Sequence, residues 1–224
     1  MLMKPVSLSS KKELMLNELI EFMKHYNAKY KKSKCEFEIF ENEVSKICML
    51  NFINRGSHLA LRTFLYISID GINKEFKKLA KNTVCPPYIY GGEITEICEH
   101  FDIKIGREYT EQIITSDTRI NDIITEWKND FIKICIPFFD KYSSPSELNK
   151  EINDINQLKL PPLALSTSNR ILKGSLLLKL SSQPKYYVEQ TMALYNEISI
   201  NSKNKKLLDD FNVIKEYVEN SINN

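Results

Sequence analysis

Residues 35–71 read CEFEIFENEVSKICMLNFINRGSHLALRTFLYISIDG, and apolar residues alternate with polar ones over most of this stretch. A period of two is typical of strands with one buried face. Two turn signals interrupt the alternation, Asn42-Glu43 and the NRGS sequence at Asn54–Ser57, whose Gly56 can take a positive φ. The stretch predicts a three-stranded antiparallel meander. Its strands are about Cys35–Glu41, Val44–Ile53 and His58–Asp70.

A two-residue first turn and a four-residue second turn set the strand register, and one face of the resulting sheet is almost wholly apolar, with Lys46 the main exception. That face collects Cys35, Phe37, Ile39, Val44, Cys48, Leu50, Phe52, Leu59, Leu61, Leu65, Ile67 and Ile69. An amphipathic helix is predicted from Lys11 to about Tyr30, with Ser9 or Ser10 as its cap. Its apolar stripe suits this face, so we expect the helix to cover it.

The opposite face, called the second sheet face from here on, mixes charges with aromatic and Met side chains. One interpretation is that other elements of the chain cover it, because a large exposed apolar patch is unusual on a monomer. The other is a concave binding surface. A nearby loop, CPPYIYGG, adds two tyrosines between Pro and Gly that either form a rigid contact point or pack back onto the sheet. The candidate binding residues are Phe40, Met49, Arg62, Phe64, Tyr66, Tyr88 and Tyr90.

After a weakly patterned segment with short strands expected around Ile103, Ile105, Tyr109 and Ile113, the chain becomes helical. A long central helix, capped by Asp117 or Thr118, is predicted to loosen at Pro137, which lacks an amide hydrogen. A capping box of Ser144 and Glu147 begins a short helix. Three more helices are expected at about 169–180, 184–198 and 203–222. The predicted class is α+β: an antiparallel meander sheet packed by the N-terminal and central helices (residues 1–158), with a C-terminal helical bundle (159–224).

Composition excludes several classes of function. The 31 Lys+Arg against 29 Asp+Glu give a formal net charge of +2, without the basic excess of a nucleic-acid binder. No window is apolar enough for a membrane helix, and the N-terminal MLMKPVSLSS has no secretory apolar run. The five cysteines form no CxxC pair. We therefore expect a cytoplasmic protein with reduced thiols that binds neither nucleic acid nor membrane.

No catalytic or cofactor signature is evident. The chain has three histidines and no nucleophile elbow, Walker or Rossmann motif. One Cys98–His100 pair falls short of a zinc site, so neither metal nor cofactor is expected. The acidic stretch around Glu93, Glu96, Glu99 and His100 leaves a hydrolase with a carboxylate or histidine site as the alternative function.

The meander FEIFENEVSKICMLNFINRGSHLALRTFLYISID and the later INDIITEWKNDFIKICIPFFDKYSSPSEL together resemble the bacterial family catalogued as domain of unknown function 4304. The resemblance covers roughly Leu14–Ile152. It implies a bacterial α+β protein and carries no catalytic motif. We therefore expect a non-enzymatic protein-binding module, and by analogy at the level of the fold a toxin-neutralising partner is one such role. Whether the chain is a monomer or a homodimer stays open.

Overall fold

A computed structural model describes residues 7–104, 111–156 and 160–222 of the chain. The fold is α+β, as the sequence predicts: one antiparallel sheet, helices that pack on it, and a helical C-terminal region. The strands are β1 Lys29–Lys31, β2 Glu36–Glu41, β3 Val44–Asn54, β4 Leu59–Ile69, β5 Tyr90–Glu93 and β6 Gln112–Ile114. Their order in the sheet is β1-β2-β3-β4-β5, and β6 pairs with β4.

The helices are α1 Leu8–Lys24, α2 Asp70–Leu79, α3 Ile94–His100, α4 Ile120–Asp130, α5 Ile136–Tyr142, α6 Pro145–Ile152, α7 Thr167–Leu180, α8 Lys185–Asn201 and α9 Lys205–Ile222. A π-helical turn, Phe131–Cys135, joins α4 to α5. Across the described residues, no helix is both long and apolar enough to cross a membrane.

The chain divides into two compact units. Unit 1 comprises the described parts of Met1–Glu41, Lys46–Leu65 and Gly92–Asp140. Unit 2 comprises the described parts of Asn42–Ser45, Tyr66–Gly91 and Lys141–Asn224. The boundary near residue 158 stays a prediction.

The predicted meander is confirmed as β2, β3 and β4, each within one or two residues of its expected bounds. Asn42 and Glu43 both have positive φ, 49° and 65°, the geometry of a two-residue turn that matches the twist of the flanking strands. In the second turn Gly56 has φ 83°, and its amide donates to Asn54 Oδ1 at 2.9 Å. Local turn chemistry therefore sets the register of this part of the sheet.

One face of the meander is buried, and helices of unit 1 cover it. Phe37, Leu50 and Leu61 are all buried, as the alternating pattern predicts. Trp127 of α4 donates from Nε1 to Thr63 Oγ1 at 3.1 Å, and its ring lies 6.3 Å from that of Phe37. Further aromatic rings of α1 and the π-helical turn pack around Trp127. They include Phe22 and Phe131.

The first helix is shorter than the sequence pattern indicates. Its cap is Ser7, whose Oγ accepts from the amide of Ser10 at 3.1 Å, so the prediction of Ser9 or Ser10 was wrong. The helix ends at Lys24, and Tyr30 lies in β1. Lys31 forms cross-strand ion pairs with Glu36 and Glu38 at 3.3 and 2.8 Å, which help to hold this lysine-rich segment in a strand.

The segment between the meander and α4 contains elements that the sequence analysis missed. α2 was missed although Ile72, Phe76 and Leu79 follow a helical spacing of four and three residues, and it buries Ile72 and Phe76. α3 was also missed. Ile113 lies in β6 as expected, whereas Ile103 lies outside the strands. The expected strand positions Ile105 and Tyr109 fall outside the described residues.

The central helix is confirmed, but the prediction of Asp117 or Thr118 as its cap was wrong. Its N-cap position is Arg119, because the Thr118 hydroxyl accepts from the amide of Thr115 at 2.8 Å instead of capping the helix. The π-helical turn lies just before Pro137, and the amide of Ile136 donates to the carbonyl of Phe131. This wider turn accommodates a proline that cannot donate to Lys133.

Unit 2 is built around α7, which is buried along most of its length and packs against α2, α6, α8 and α9. The three predicted C-terminal helices are confirmed as α7, α8 and α9. The predicted capping box is not formed. Ser144 occupies the cap position without a side-chain hydrogen bond, and Glu147 pairs with Lys150 at 2.5 Å instead.

Candidate functional site

Four of the candidate binding residues lie on the second sheet face of unit 1. Phe40, near the end of β2, is 55% exposed, and Met49 and Phe64 are half-buried. The Arg62 guanidinium lies 5.2 Å from the centre of the Phe64 ring and donates from Nε to Glu93 Oε1 at 2.8 Å. A second bond from Arg62 Nη2 to Glu93 makes the pair bidentate, which fixes the plane of the guanidinium.

The three candidate tyrosines lie in unit 2. Tyr66 and Tyr88 stack on each other with ring centres 4.2 Å apart and planes within 5°, and both are half-buried. Tyr90 is fully buried, with its ring against Tyr142 at 4.8 Å. Tyr90 is therefore unavailable as a surface contact, because the loop turns its side chain inward where β5 begins. The alternative left open in the sequence, packing back onto the sheet, applies to both loop tyrosines, since Tyr88 stacks on Tyr66 of β4 and Tyr90 is buried.

The residues of the alternative hydrolase site are largely engaged at the ends of α3. Glu93 caps this helix, its own amide donates to Glu96 Oε2 at 2.8 Å, and its carboxylate binds Arg62. Glu99 is exposed, and the ring of His100 lies edge-on to Phe101 at 5.4 Å. The arrangement of Glu93 and Glu96 is a capping box, a structural use of two carboxylates.

Within 7–104, 111–156 and 160–222, no group of three or more His, Cys, Asp or Glu side chains is placed to hold a metal ion. The five cysteines are free thiols, of which Cys35 and Cys85 are half-buried and the others buried. Burial raises the pKa of the Cys135 thiol, and the neighbouring Cys48 adds to the shift. Cys135 is thus an apolar core residue rather than a reactive thiolate.

Unit 2 contains a cluster that the sequence analysis missed, centred on Lys173 of α7. This side chain is only 1% exposed. Its ammonium donates to Asn73 Oδ1 at 2.7 Å, to the carbonyl of Pro86 at 2.5 Å and to that of Tyr88 at 3.2 Å. All three ammonium hydrogens therefore have neutral oxygen acceptors, and no carboxylate is among them.

Lys173 forms part of the wall of a cleft of about 360 Å³, called the Lys173 cleft from here on. Its lining residues are Asn73, Phe76, Lys77, Ala80, Lys81, Thr83, Val84, Cys85, Pro87 and Lys173. Burial lowers the pKa of Lys173 to about 8; Cys85 opposes this shift and Lys77 adds to it. Burial also raises the pKa of the Cys85 thiol, and Lys173 partly offsets that effect.

The loop that forms the other wall of the Lys173 cleft is held by Asp210 of α9. The carboxylate accepts from the amides of Lys81, Asn82 and Thr83 at 2.9, 3.0 and 2.6 Å. Burial alone would raise the pKa of Asp210, but the donors from Lys81, Thr83 and Asn82 outweigh it and hold the pKa below its usual value. The cleft is therefore lined by a loop that is fixed in place.

The sequence did contain a signal for Lys173. The residues from Asn169 to Leu178 include a run of apolar side chains on every side of the helix, so a lysine among them has no solvent-facing side to occupy. No such signal marked the loop acceptors, because Pro86 and Tyr88 contribute backbone carbonyls.

No family model, curated protein or solved structure matches the chain. The resemblance of the meander and central helix to the bacterial family stays a prediction.

Proposed function

We propose that this protein is a non-enzymatic protein-binding module whose contact surface is the second sheet face of unit 1. The observation that supports it is the exposure of Phe40 on the same face as the half-buried Met49 and Phe64. Large aromatic side chains next to an arginine are typical of the centre of a protein interface. The surface is defined by Phe40, Met49, Arg62 and Phe64.

The charged residues beside this surface are already paired within the chain. Arg62 binds Glu93, and Lys31 binds Glu36 and Glu38. A partner therefore need not supply countercharges, and the attraction would come from burying the apolar side chains. Toxin neutralisation is one form that such binding takes.

Binding through the edge of the sheet is less favourable than binding through its face. The outer strand β1 has only three residues, and its sequence is Lys29-Tyr30-Lys31. Short, lysine-rich edge strands oppose the addition of a further strand. The exposed aromatic on the face is the better anchor.

The test is affinity capture from the organism of origin with tagged wild-type protein and two variants, Phe40→Ser and Ile200→Ser. Phe40 and Ile200 are equally exposed at 55%, and Ile200 lies on α8 in unit 2, which makes it a matched control. We expect a stoichiometric partner whose affinity falls at least about tenfold with Phe40→Ser, in line with loss of an interface hot spot. Ile200→Ser should retain the partner.

Two results would count against the proposal. One is loss of the same proteins from both variants, which would indicate general adhesion of apolar residues. The other is the absence of any stoichiometric partner for a wild-type protein that light scattering shows to be strictly monomeric. A homodimer that dissociates only with Phe40→Ser would identify the partner as a second copy of the chain.

A further inference from the structure

The lining of the Lys173 cleft carries positive charge only. Its lining residues, all within the described part of the chain, include Lys77, Lys81 and Lys173 and no aspartate or glutamate. Lys77 lies close enough to Lys173 to lower its pKa, so two like charges face the same space. Like charges at one site favour an anion that relieves their repulsion.

The three lysines differ in how they would contact an anion. The ammonium of Lys173 is fully hydrogen-bonded to protein oxygens, so it acts through its charge from the wall of the cleft. Lys77 is exposed, and Lys81 donates one hydrogen to the carbonyl of Lys77 at 3.0 Å. An ammonium has three hydrogens, so Lys81 retains donors for a ligand after making this bond.

The apolar part of the lining indicates what the anion is attached to. Phe76, Pro87 and Val84 lie beside the lysines, and the volume of about 360 Å³ is in the range of a small-molecule site. A phosphate monoester carries nearly two negative charges at neutral pH, whereas a carboxylate carries one. Three lysines therefore fit a phosphate better than a carboxylate.

We propose that the Lys173 cleft binds a small phosphate monoester, with the phosphate between Lys77 and Lys81 and the organic group against Phe76 and Val84. This site is in unit 2 and is independent of the protein-binding surface of unit 1. Asp210 contributes by fixing the loop that carries Lys81 and Thr83.

Cys85 provides a reporter within the cleft, and Cys35 of unit 1 provides an internal control. Both thiols are half-buried. The experiment measures the rate at which the neutral reagent iodoacetamide labels each thiol, with phenyl phosphate as the probe. At ten times its Kd, phenyl phosphate should slow the labelling of Cys85 by about tenfold, because few sites are then free, and should leave Cys35 unchanged.

Two variants of α2 test whether the protection of Cys85 depends on a lysine that lines the cleft. Lys77→Gln should abolish the protection of Cys85, whereas Lys74→Gln should retain it, since Lys74 is also exposed on α2 but does not line this cleft. Urea unfolding of both variants checks that they fold like the wild type. Equal protection in the two variants would overturn the proposal, because the effect would then not depend on Lys77 in particular.

Comparison of ligands completes the test. Benzoate, which has the ring and one negative charge, should protect Cys85 more weakly than phenyl phosphate, and inorganic phosphate should also be weaker because it lacks the ring. Protection by benzoate equal to that by phenyl phosphate would overturn the assignment to phosphate. So would the absence of protection by phenyl phosphate, or equal slowing of Cys35 and Cys85.

Discussion

In each unit of the molecule, the ammonium of a buried lysine donates hydrogen bonds to the carbonyls of a loop. In unit 1, Lys11 of α1 donates to the carbonyls of Thr115, Ser116 and Thr118 at 2.9, 2.5 and 2.7 Å. In unit 2, Lys173 donates to two carbonyls and one side-chain amide oxygen at 2.5–3.2 Å. Both ammonium groups have neutral oxygens as acceptors, so both satisfy loop carbonyls that would otherwise be short of donors.

The difference lies in what surrounds the two ammonium groups. The three hydrogen bonds of the Lys11 ammonium all go to carbonyls of a single loop, between β6 and α4. Lys173 also lines a cleft with Lys77 and Cys85. The same hydrogen-bonding device is therefore structural in unit 1, whereas in unit 2 it adds positive charge to a solvent-accessible cavity. Lys11 therefore stabilises a loop only, whereas Lys173 stabilises a loop and also lines a candidate site.

The largest effect is expected for Lys11→Met. The substitution keeps most of the side-chain volume but leaves the carbonyls of Thr115, Ser116 and Thr118 without their charged donor. We expect the free energy of unfolding to fall by about 3 kcal/mol, because hydrogen bonds to charged groups are the strong ones. Trp127 is the only tryptophan and lies in unit 1, so urea unfolding followed by tryptophan fluorescence measures this unit.

Lys24→Met is the matched control for that prediction. Lys24 is an exposed lysine at the end of the same helix, and its ion pair with Glu21 is on the surface. Its removal should change the free energy of unfolding by less than about 0.5 kcal/mol. If the free energy of unfolding fell equally in the two variants, the hydrogen bonds of Lys11 to the loop would stabilise the fold no more than the exposed ion pair of Lys24.

The sheet could be predicted from the sequence because its determinants are local. The period of two along residues 36–69 and the turn residues at 42–43 and 56 specify the register together, since a slip by one residue would expose the buried face. α1 was predicted as well, but its end was not. Cross-strand ion pairs of Lys31 help to decide that boundary, and a helical period cannot reveal them.

The candidate sites depend on contacts between residues that are distant in sequence. For this reason only part of each site could be predicted. The exposed position of Phe40 and the burial of Tyr90 follow from what packs next to each, which the alternation of strand residues does not specify. Lys173 meets Asn73 and Pro86 about a hundred positions earlier in the chain. A lysine within an apolar helix could have been singled out, but its acceptors could not.

A smaller effect is expected for Asp210→Asn, which tests the loop on the other wall of the Lys173 cleft. An amide keeps one acceptor oxygen but turns hydrogens towards the amides of Asn82 or Thr83, so we expect a loss of about 2 kcal/mol at pH 7. The folded pKa of Asp210 lies below its unfolded value, so its stabilisation is full above about pH 4 and is lost as the pH falls through the folded value.

Urea unfolding of wild type and Asp210→Asn by circular dichroism, from pH 7 down to pH 3, checks this prediction. The difference between the two proteins should shrink towards the acid end. A difference that stays constant over this range would show that the charge of Asp210 is not what holds the loop formed by Lys81, Asn82 and Thr83.

The smallest effect at pH 7 is expected for Lys173→Met, about 1 kcal/mol, because burial disfavours its charged form and so offsets part of what its three hydrogen bonds contribute. Burial lowers the folded pKa of Lys173 to about 8, against 10.5 for the free side chain. The unfolded chain therefore binds more protons between these values, and the wild type gains stability as the pH rises from 8 to 10.5.

Lys173→Met lacks this group, so the stability difference between wild type and variant should widen over that interval, and unfolding by circular dichroism at pH 7, 8, 9 and 10 measures it. The charged groups near Lys173 are Lys77 on α2 and Cys85 on the loop, with Asp210 on α9 close to Cys85. Repeating the series in the Cys85→Ser background removes the titrating thiol. A difference that is flat with pH would show that Lys173 keeps its proton over this range, and would contradict the lowering of its pKa by burial.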